Sequence, residues 1–271
     1  MPYDIIILGG QSNAEGNGLG ETNRPFIPDE RILMMRDGGK FGYEAQPDGS
    51  MKFLVTKPYT FVTETAKERN DGERDYGMFA LTFAKKYVEA GLLEEGRQLL
   101  IVNTAAGGTG FAGRQWGLGN VLHERMMLMI NEAKKSEDDR FVAFLWHQGE
   151  HDAFERPDAP APKRRESYRA DISATINAVR DAVSDNALPF IAGEFVSEWK
   201  DKNAVACDAI LFGTRDACND LGNGKVVMAR DLKSNNQTVN NGDDIHFCRD
   251  ALVTLGERYF EAFAEITGLK I

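Results

Sequence analysis

Short apolar runs alternate along this chain with longer stretches of helical period. Residues 3–8 (YDIIIL) form an apolar run with three isoleucines, which predicts a buried strand. Gly9 and Gly10 end it. Residues 31–35 (RILMM), 98–102 (QLLIV), 141–146 (FVAFLW) and 189–195 (PFIAGEF) predict further strands, with a shorter one at 226–229. Residues 76–90 place Met78, Leu81, Phe83, Ala84 and Val88 on one face, and Gly91 ends that helix. Helices are also expected at 118–135, through Tyr168, Ile172, Ile176, Val179 and Val183, and at 203–221. A closing helix at 250–267 carries Leu252, Leu255, Tyr259, Phe263 and Ile266. Residues 37–70 are rich in Gly, Pro, Lys and Thr without a sustained period. They are expected to be a long surface excursion that shapes one wall of a site, or a variable insertion. Pro/Ala-rich residues 156–163 and polar residues 235–244 are expected to be loops.

Strands alternating with helices predict an α/β fold whose parallel sheet is covered on both faces. The chain has 271 residues and no internal repeat, low-complexity tract or linker, so residues 1–271 are read as one domain. A net charge of -10 disfavours nucleic acid and anionic membrane as partners, because both need a basic face. A neutral substrate suits that charge better than a polyanion. No apolar run reaches membrane-spanning length, and no signal peptide is visible. The chain as given is expected to be cytoplasmic, or secreted if a leader was removed. Nothing in the sequence sets the oligomeric state. Cys207, Cys218 and Cys248 are an odd number in no metal-ligand spacing, and are expected to be buried thiols.

Candidate chemistry lies just beyond these strands, where an open parallel sheet presents its ligand-binding edge. Ser12 follows the first strand, Gly107 and Gly108 the third, and His147, Gln148, Gly149 and Glu150 the fourth. Asp243 and His246 close the polar loop before the last helix. Read singly, Ser12 or Asn13 could only cap a helix, and the glycine pair could only form a tight turn. Glycines at 9, 10, 16, 18 and 20 lack the lysine of a phosphate-binding loop, so nucleotide binding is set aside. His147, Glu150, His151 and Asp152 lack the HExxH helical pattern, so a metal site is set aside too. Together the clusters supply what acyl transfer needs. Ser12 can be the nucleophile and His246 its base, with Asp243 able to reach back to the imidazole. Backbone N–H groups at Ser12 and Gly107, with the Gln148 amide, can donate to an oxyanion. His147, read by itself, orients its neighbours rather than acting chemically.

GQSN at 10–13, GGT at 107–109, WHQGE at 146–150 and DxxH at 243–246 occur in this order. This pattern resembles the SGNH hydrolases, in particular the branch with sialate O-acetylesterase-like and acetylxylan esterase-like members, carbohydrate esterase family 6. The resemblance implies a three-layer α/β/α sandwich with a flavodoxin-like parallel sheet of about five strands. It implies a serine esterase that removes O-acetyl groups from carbohydrates through an acetyl-enzyme, with no metal or organic cofactor. Carried over by position, Ser12 is the nucleophile and His246 the base. Ser12, Gly107, then Gly108, and Gln148 form the oxyanion hole. The third triad member is Asp243, with Glu150 as a rival carboxylate. Gln11, Asn13, Trp116 and His147 are expected to bind substrate, Trp116 as the pocket wall that follows the glycine turn. Ala14 and His151 depart from common family wording, where methionine and serine are frequent. The alternatives are a non-catalytic carbohydrate-binding module on the same fold, or an esterase for another small acyl ester.

Overall fold

The computed structural model describes residues 1–39, 41–47, 51–155 and 160–270. In chain order the strands are β1 (Tyr3–Gly10), β2 (Ile32–Asp37), β3 (Phe41–Ala45), β4 (Met51–Val55), β5 (Phe61–Thr65), β6 (Arg69–Asn70), β7 (Asp75–Tyr76), β8 (Gln98–Asn103), β9 (Arg140–His147), β10 (Phe190–Gly193) and β11 (Gly224–Val227). The helices are α1 (Ser12–Glu15), α2 (Phe79–Glu89), α3 (Val121–Ala133), α4 (Glu150–Glu155), α5 (Ala161–Val183), α6 (Ser197–Lys202), α7 (Ala204–Leu221), α8 (Asn236–Val239) and α9 (Arg249–Thr267). Seven strands form one sheet in the order β11-β10-β9-β1-β8-β2-β5. All neighbours run parallel except β2 and β5. The sheet is therefore larger than the expected five or so strands, with an antiparallel edge added.

Strand β1 is apolar without alternation because both of its faces are covered. Ile6 and Leu8 join the core formed with α2 and α9, while Ile7 joins the core formed with α3, α5 and α7. Each such isoleucine or leucine contributes about 1.5–3 kcal/mol by leaving water. Phe83 of α2 sits edge-on to Phe260 and Phe263 of α9, at centroid distances of 5.8 and 5.6 Å. This aromatic contact fixes the two helices of one outer layer against each other.

Strand β1 lies between β8 and β9, so the strand order reverses around it. The segments leaving these three strands lie at one edge of the sheet, the usual place for a ligand.

The expected excursion at 37–70 contains regular structure. Strands β3 and β4 pair antiparallel, and β5 joins the main sheet through β2. The Tyr43 hydroxyl of β3 donates to the Gly108 carbonyl at 2.8 Å, so this hairpin does border the glycine turn. The helix expected from residue 76 begins at Phe79, because Tyr76 pairs in β7. Residues 156–159 of the expected Pro/Ala-rich loop lie outside the described residues, and α5 already begins at Ala161. The three cysteines are buried and free. No helix among the described residues is long and apolar enough to cross a membrane.

Candidate active site

Ser12 opens α1, a single helical turn directly after β1. Gln11 is the N-cap and makes no side-chain cap bond, so the turn is not held by a capping serine or asparagine. Glycine is needed just before it. Gly10 has φ +124, and a Cβ there would lie 2.1 Å from the His147 carbonyl oxygen. The absence of a side chain lets β1 and β9 close up beneath the turn.

The His246 imidazole meets this turn from the far end of the chain. Its Nε2 lies 2.8 Å from Ser12 Oγ. Its Nδ1 lies 2.9 Å from each carboxylate oxygen of Asp243. A carboxylate at Nδ1 keeps a proton on that nitrogen, leaving the Nε2 lone pair to face the serine hydroxyl. Burial works against a charge on Asp243, but hydrogen bonds from His246 and Asn235 outweigh it and hold the carboxyl below its ordinary range. Ser12 is 8% exposed, sheltered but not sealed off from solvent.

Glu150 occupies a different position. It is fully buried, and its Oε1 accepts a 2.7 Å hydrogen bond from the Asn13 amide. Burial pushes its carboxyl up, against the opposing pull of Asn13. Of the two carboxylates considered for His246, Asp243 is the one in contact with the ring.

Gly107 lies against the serine, but its N–H, expected to face an oxyanion, is taken up by the Glu15 carboxylate. A Cβ there would be 3.6 Å from Ser12 Cβ and 2.8 Å from Glu15 Oε2. As the first residue of α1, Ser12 has an N–H that no helical carbonyl takes up. Gly108 is exposed, with φ +68, at the tip of the turn.

Gln148 differs from expectation. Its amide nitrogen faces the Asp152 carboxylate at 2.6 Å, the Thr109 carbonyl at 3.1 Å and Gln11 Oε1 at 3.2 Å. Its oxygen accepts from the Tyr168 hydroxyl at 2.9 Å. Both amide hydrogens are committed to the protein, so this side chain braces the turn instead of facing an oxyanion.

The four residues expected to bind substrate are likewise turned inward. Gln11 Oε1 accepts from the His151 N–H at 3.1 Å, holding the start of α4. Asn13 donates to Glu150 and to the Ile245 carbonyl and accepts from the Phe247 N–H. Trp116 is fully buried, bonds Thr109 Oγ1 at 2.9 Å and packs edge-on to Trp146. It is core, not a pocket wall. His147 is also fully buried, with Nδ1 3.0 Å from the Tyr259 hydroxyl. That hydroxyl donates to the Trp146 carbonyl, so Nδ1 carries the hydrogen. Burial pushes this imidazole down to about 3, which keeps it neutral.

Asn235 escaped sequence reasoning. It is fully buried, and its amide donates to Asp243 Oδ2 at 2.8 Å and to the Asn17 carbonyl at 2.9 Å. Its oxygen accepts from the Leu19 N–H at 2.7 Å. One side chain thus ties the Asp243 loop to the segment after α1. An asparagine in a polar loop carries no sequence signal for this. Asp152 was weighed only as a metal ligand, yet it accepts the Phe111 and Ala112 N–H groups and fixes the segment after the glycine turn. Among the described residues, no group of three or more His, Cys, Asp or Glu is arranged to hold a metal ion.

A family model described as "Carbohydrate esterase, sialic acid-specific acetylesterase" matches residues 2–265. No curated sequence matches the chain. Among solved structures, NanS is 19% identical, with a TM-score of 0.74 over 99% of this chain and 98% of that one. A protein from Arabidopsis thaliana is 22% identical, with a TM-score of 0.66 over 98% and 99%. A carbohydrate acetylesterase from Xanthomonas citri is 18% identical, with a TM-score of 0.63 over 98% of this chain and 57% of that one. At these identities the structures establish a shared fold.

Proposed function

Because this chain belongs to the sialic acid-specific acetylesterase family of carbohydrate esterases, hydrolases of ester bonds, we propose that it removes O-acetyl groups from carbohydrates with Ser12 as nucleophile. Ser12 Oγ attacks the acetyl carbonyl while its proton passes to His246 Nε2. The carbonyl oxygen becomes an oxyanion that accepts from the Ser12 N–H group. Asp243 holds the imidazole and stabilises its charged form. The intermediate collapses, His246 returns the proton to the departing sugar oxygen, and the acetyl group stays on Ser12. Water then gives a proton to His246 and attacks the acetyl-serine. Acetate leaves, and the proton returns to Ser12 Oγ.

The observation that carries this reading is the contact series from Ser12 through His246 to Asp243, at 2.8 and 2.9 Å. A purely carbohydrate-binding role has no use for a base aligned on a serine. A fluorophosphonate probe followed by peptide mass spectrometry tests the nucleophile. Labelling at Ser12 that is lost in His246→Ala is expected. Labelling at another residue, or none, would count against the scheme.

A further inference from the structure

The β3–β4 hairpin brings one aromatic ring to the glycine turn beside Ser12. Tyr43 of β3 stands directly opposite Phe53 of β4, so the two share one face of the hairpin. Their rings meet edge to face, with centroids 5.2 Å apart. Phe53 packs against the core that contains Trp116 and Trp146, so this face is the one turned toward the body of the protein. Tyr43 is nevertheless 39% exposed. Its hydroxyl is held from two sides. It donates to the Gly108 carbonyl at 2.8 Å and accepts from the Gln115 amide at 2.9 Å. Gln115 is buried, and its own oxygen accepts from the Gly110 N–H at 3.0 Å. The polar end of this tyrosine is therefore anchored to the glycine turn and the segment after it, and the residue still stands open to solvent.

The glycine turn joins this ring to the nucleophile. A Cβ on Gly108 would lie 3.8 Å from Tyr43 Cε2, and one on the adjacent Gly107 would lie 3.6 Å from Ser12 Cβ. Consecutive Cα atoms are about 3.8 Å apart, so the ring and the serine border the same two residues. That span is within reach of a sugar whose O-acetyl group is at Ser12. An aromatic ring fixed at its polar end offers an apolar face that loses little further freedom when it is covered. Its counterpart in a carbohydrate is the C–H face of a pyranose ring, which is apolar although the edge of the ring carries hydroxyls.

We infer that Tyr43 is a stacking platform for the alcohol part of the ester, on which a pyranose ring lies by its C–H face while its acetyl group meets Ser12. The inference rests on the esterase reading above. It makes Tyr43 a specificity-determining residue that acts on the leaving sugar and not on the acetyl group. It also gives the β3–β4 hairpin, which supplies nothing to acyl transfer, the task of selecting that sugar. A pyranose with equatorial hydroxyls fits best, because an axial hydroxyl on the stacked face would lift the ring off the tyrosine.

Steady-state kinetics on two acetyl esters test it. One is ethyl acetate, whose alcohol is too small to reach the ring. The other is methyl β-xylopyranoside carrying one O-acetyl group, whose substituents are all equatorial. The readout is the ratio of kcat/KM, xyloside over ethyl acetate, which cancels any change in folded fraction or in acyl transfer. Wild type should favour the xyloside. Tyr43→Leu and Tyr43→Gln, which remove the flat ring, should each lower the ratio about tenfold, mainly through KM. Tyr43→Phe keeps the ring and should retain the wild-type ratio, even where loss of the Gly108 hydrogen bond lowers both rates. No preference in wild type, or the wild-type ratio in either ring-removing variant, would overturn the inference. So would an equal fall of the ratio in Tyr43→Phe. Failure of wild type on both esters would refute the esterase reading instead. An NMR titration with methyl β-xylopyranoside would then decide the platform, by weaker binding to Tyr43→Leu than to wild type if it exists, and by equal binding or none if it does not.

Discussion

Asn13 holds the chain on both sides of His246. Its amide donates to the Ile245 carbonyl at 3.1 Å, and its oxygen accepts from the Phe247 N–H at 3.1 Å. The same amide donates to Glu150 at 2.7 Å. The residue after the proposed nucleophile therefore sets the position of the proposed base, from the opposite end of the sequence. Asn13→Ala is expected to lower kcat on an acetyl ester by about a hundredfold, the scale of a misplacement near one ångström. Denaturant unfolding should also show a loss of about 1–3 kcal/mol, because buried Glu150 keeps its place without its donor. Unchanged kcat would mean that the His246 loop holds its position without Asn13.

The roles of the two carboxylates separate by substitution. Asp243→Asn should lower kcat by about three to four orders of magnitude, because the imidazole loses the partner that fixes its tautomer. Glu150→Gln can still accept from Asn13 and should retain far more activity. The reverse ranking in steady-state assays would assign the triad carboxylate to Glu150.

Asn235→Ala removes one of the hydrogen bonds that hold the Asp243 carboxyl below its ordinary range. Its pKa should rise, so protonation of the Asp243 carboxyl, followed by NMR, should move to higher pH. A merely structural effect would lower kcat without moving that titration, and this comparison separates the two.

The buried His147 imidazole couples stability to pH. It is pushed down to about 3 from an ordinary 6.5, so the unfolded chain takes up a proton that the folded chain refuses between those values. Its stabilising contribution is complete above pH 6.5 and is lost as pH falls toward 3. Wild type should lose up to about 1.4 kcal/mol per pH unit more than His147→Asn across this window. Equal slopes in denaturant titrations would show that His147 is protonated in the folded state.

The central strands were legible because β1, β8 and β9 are covered on both faces and read as unbroken apolar runs. Strand β5 was not. Its sequence FVTET is mostly exposed, with Val62 at 53%, and only its pairing with β2 makes it a strand. The members of the Ser12 site were legible as residue types at the ends of strands and loops. The direction of neighbouring side chains was not. Trp116 follows a glycine turn in the sequence, yet its indole points to Thr109 and packs on Trp146. Gln148 belongs to a recognisable motif, but Asp152 one helical turn later captures its amide. Asn235 acts through contacts with segments more than two hundred residues away, and no local pattern reports these.

Hydrolysis of p-nitrophenyl acetate and p-nitrophenyl butyrate by wild type and Ser12→Ala tests the proposed chemistry most directly. Wild type should cleave the acetate in preference to the butyrate. Ser12→Ala should lose about three orders of magnitude or more in kcat while keeping the wild-type fold. Equal rates for the two proteins would remove Ser12 as the nucleophile and contradict the catalytic assignment of His246 and Asp243.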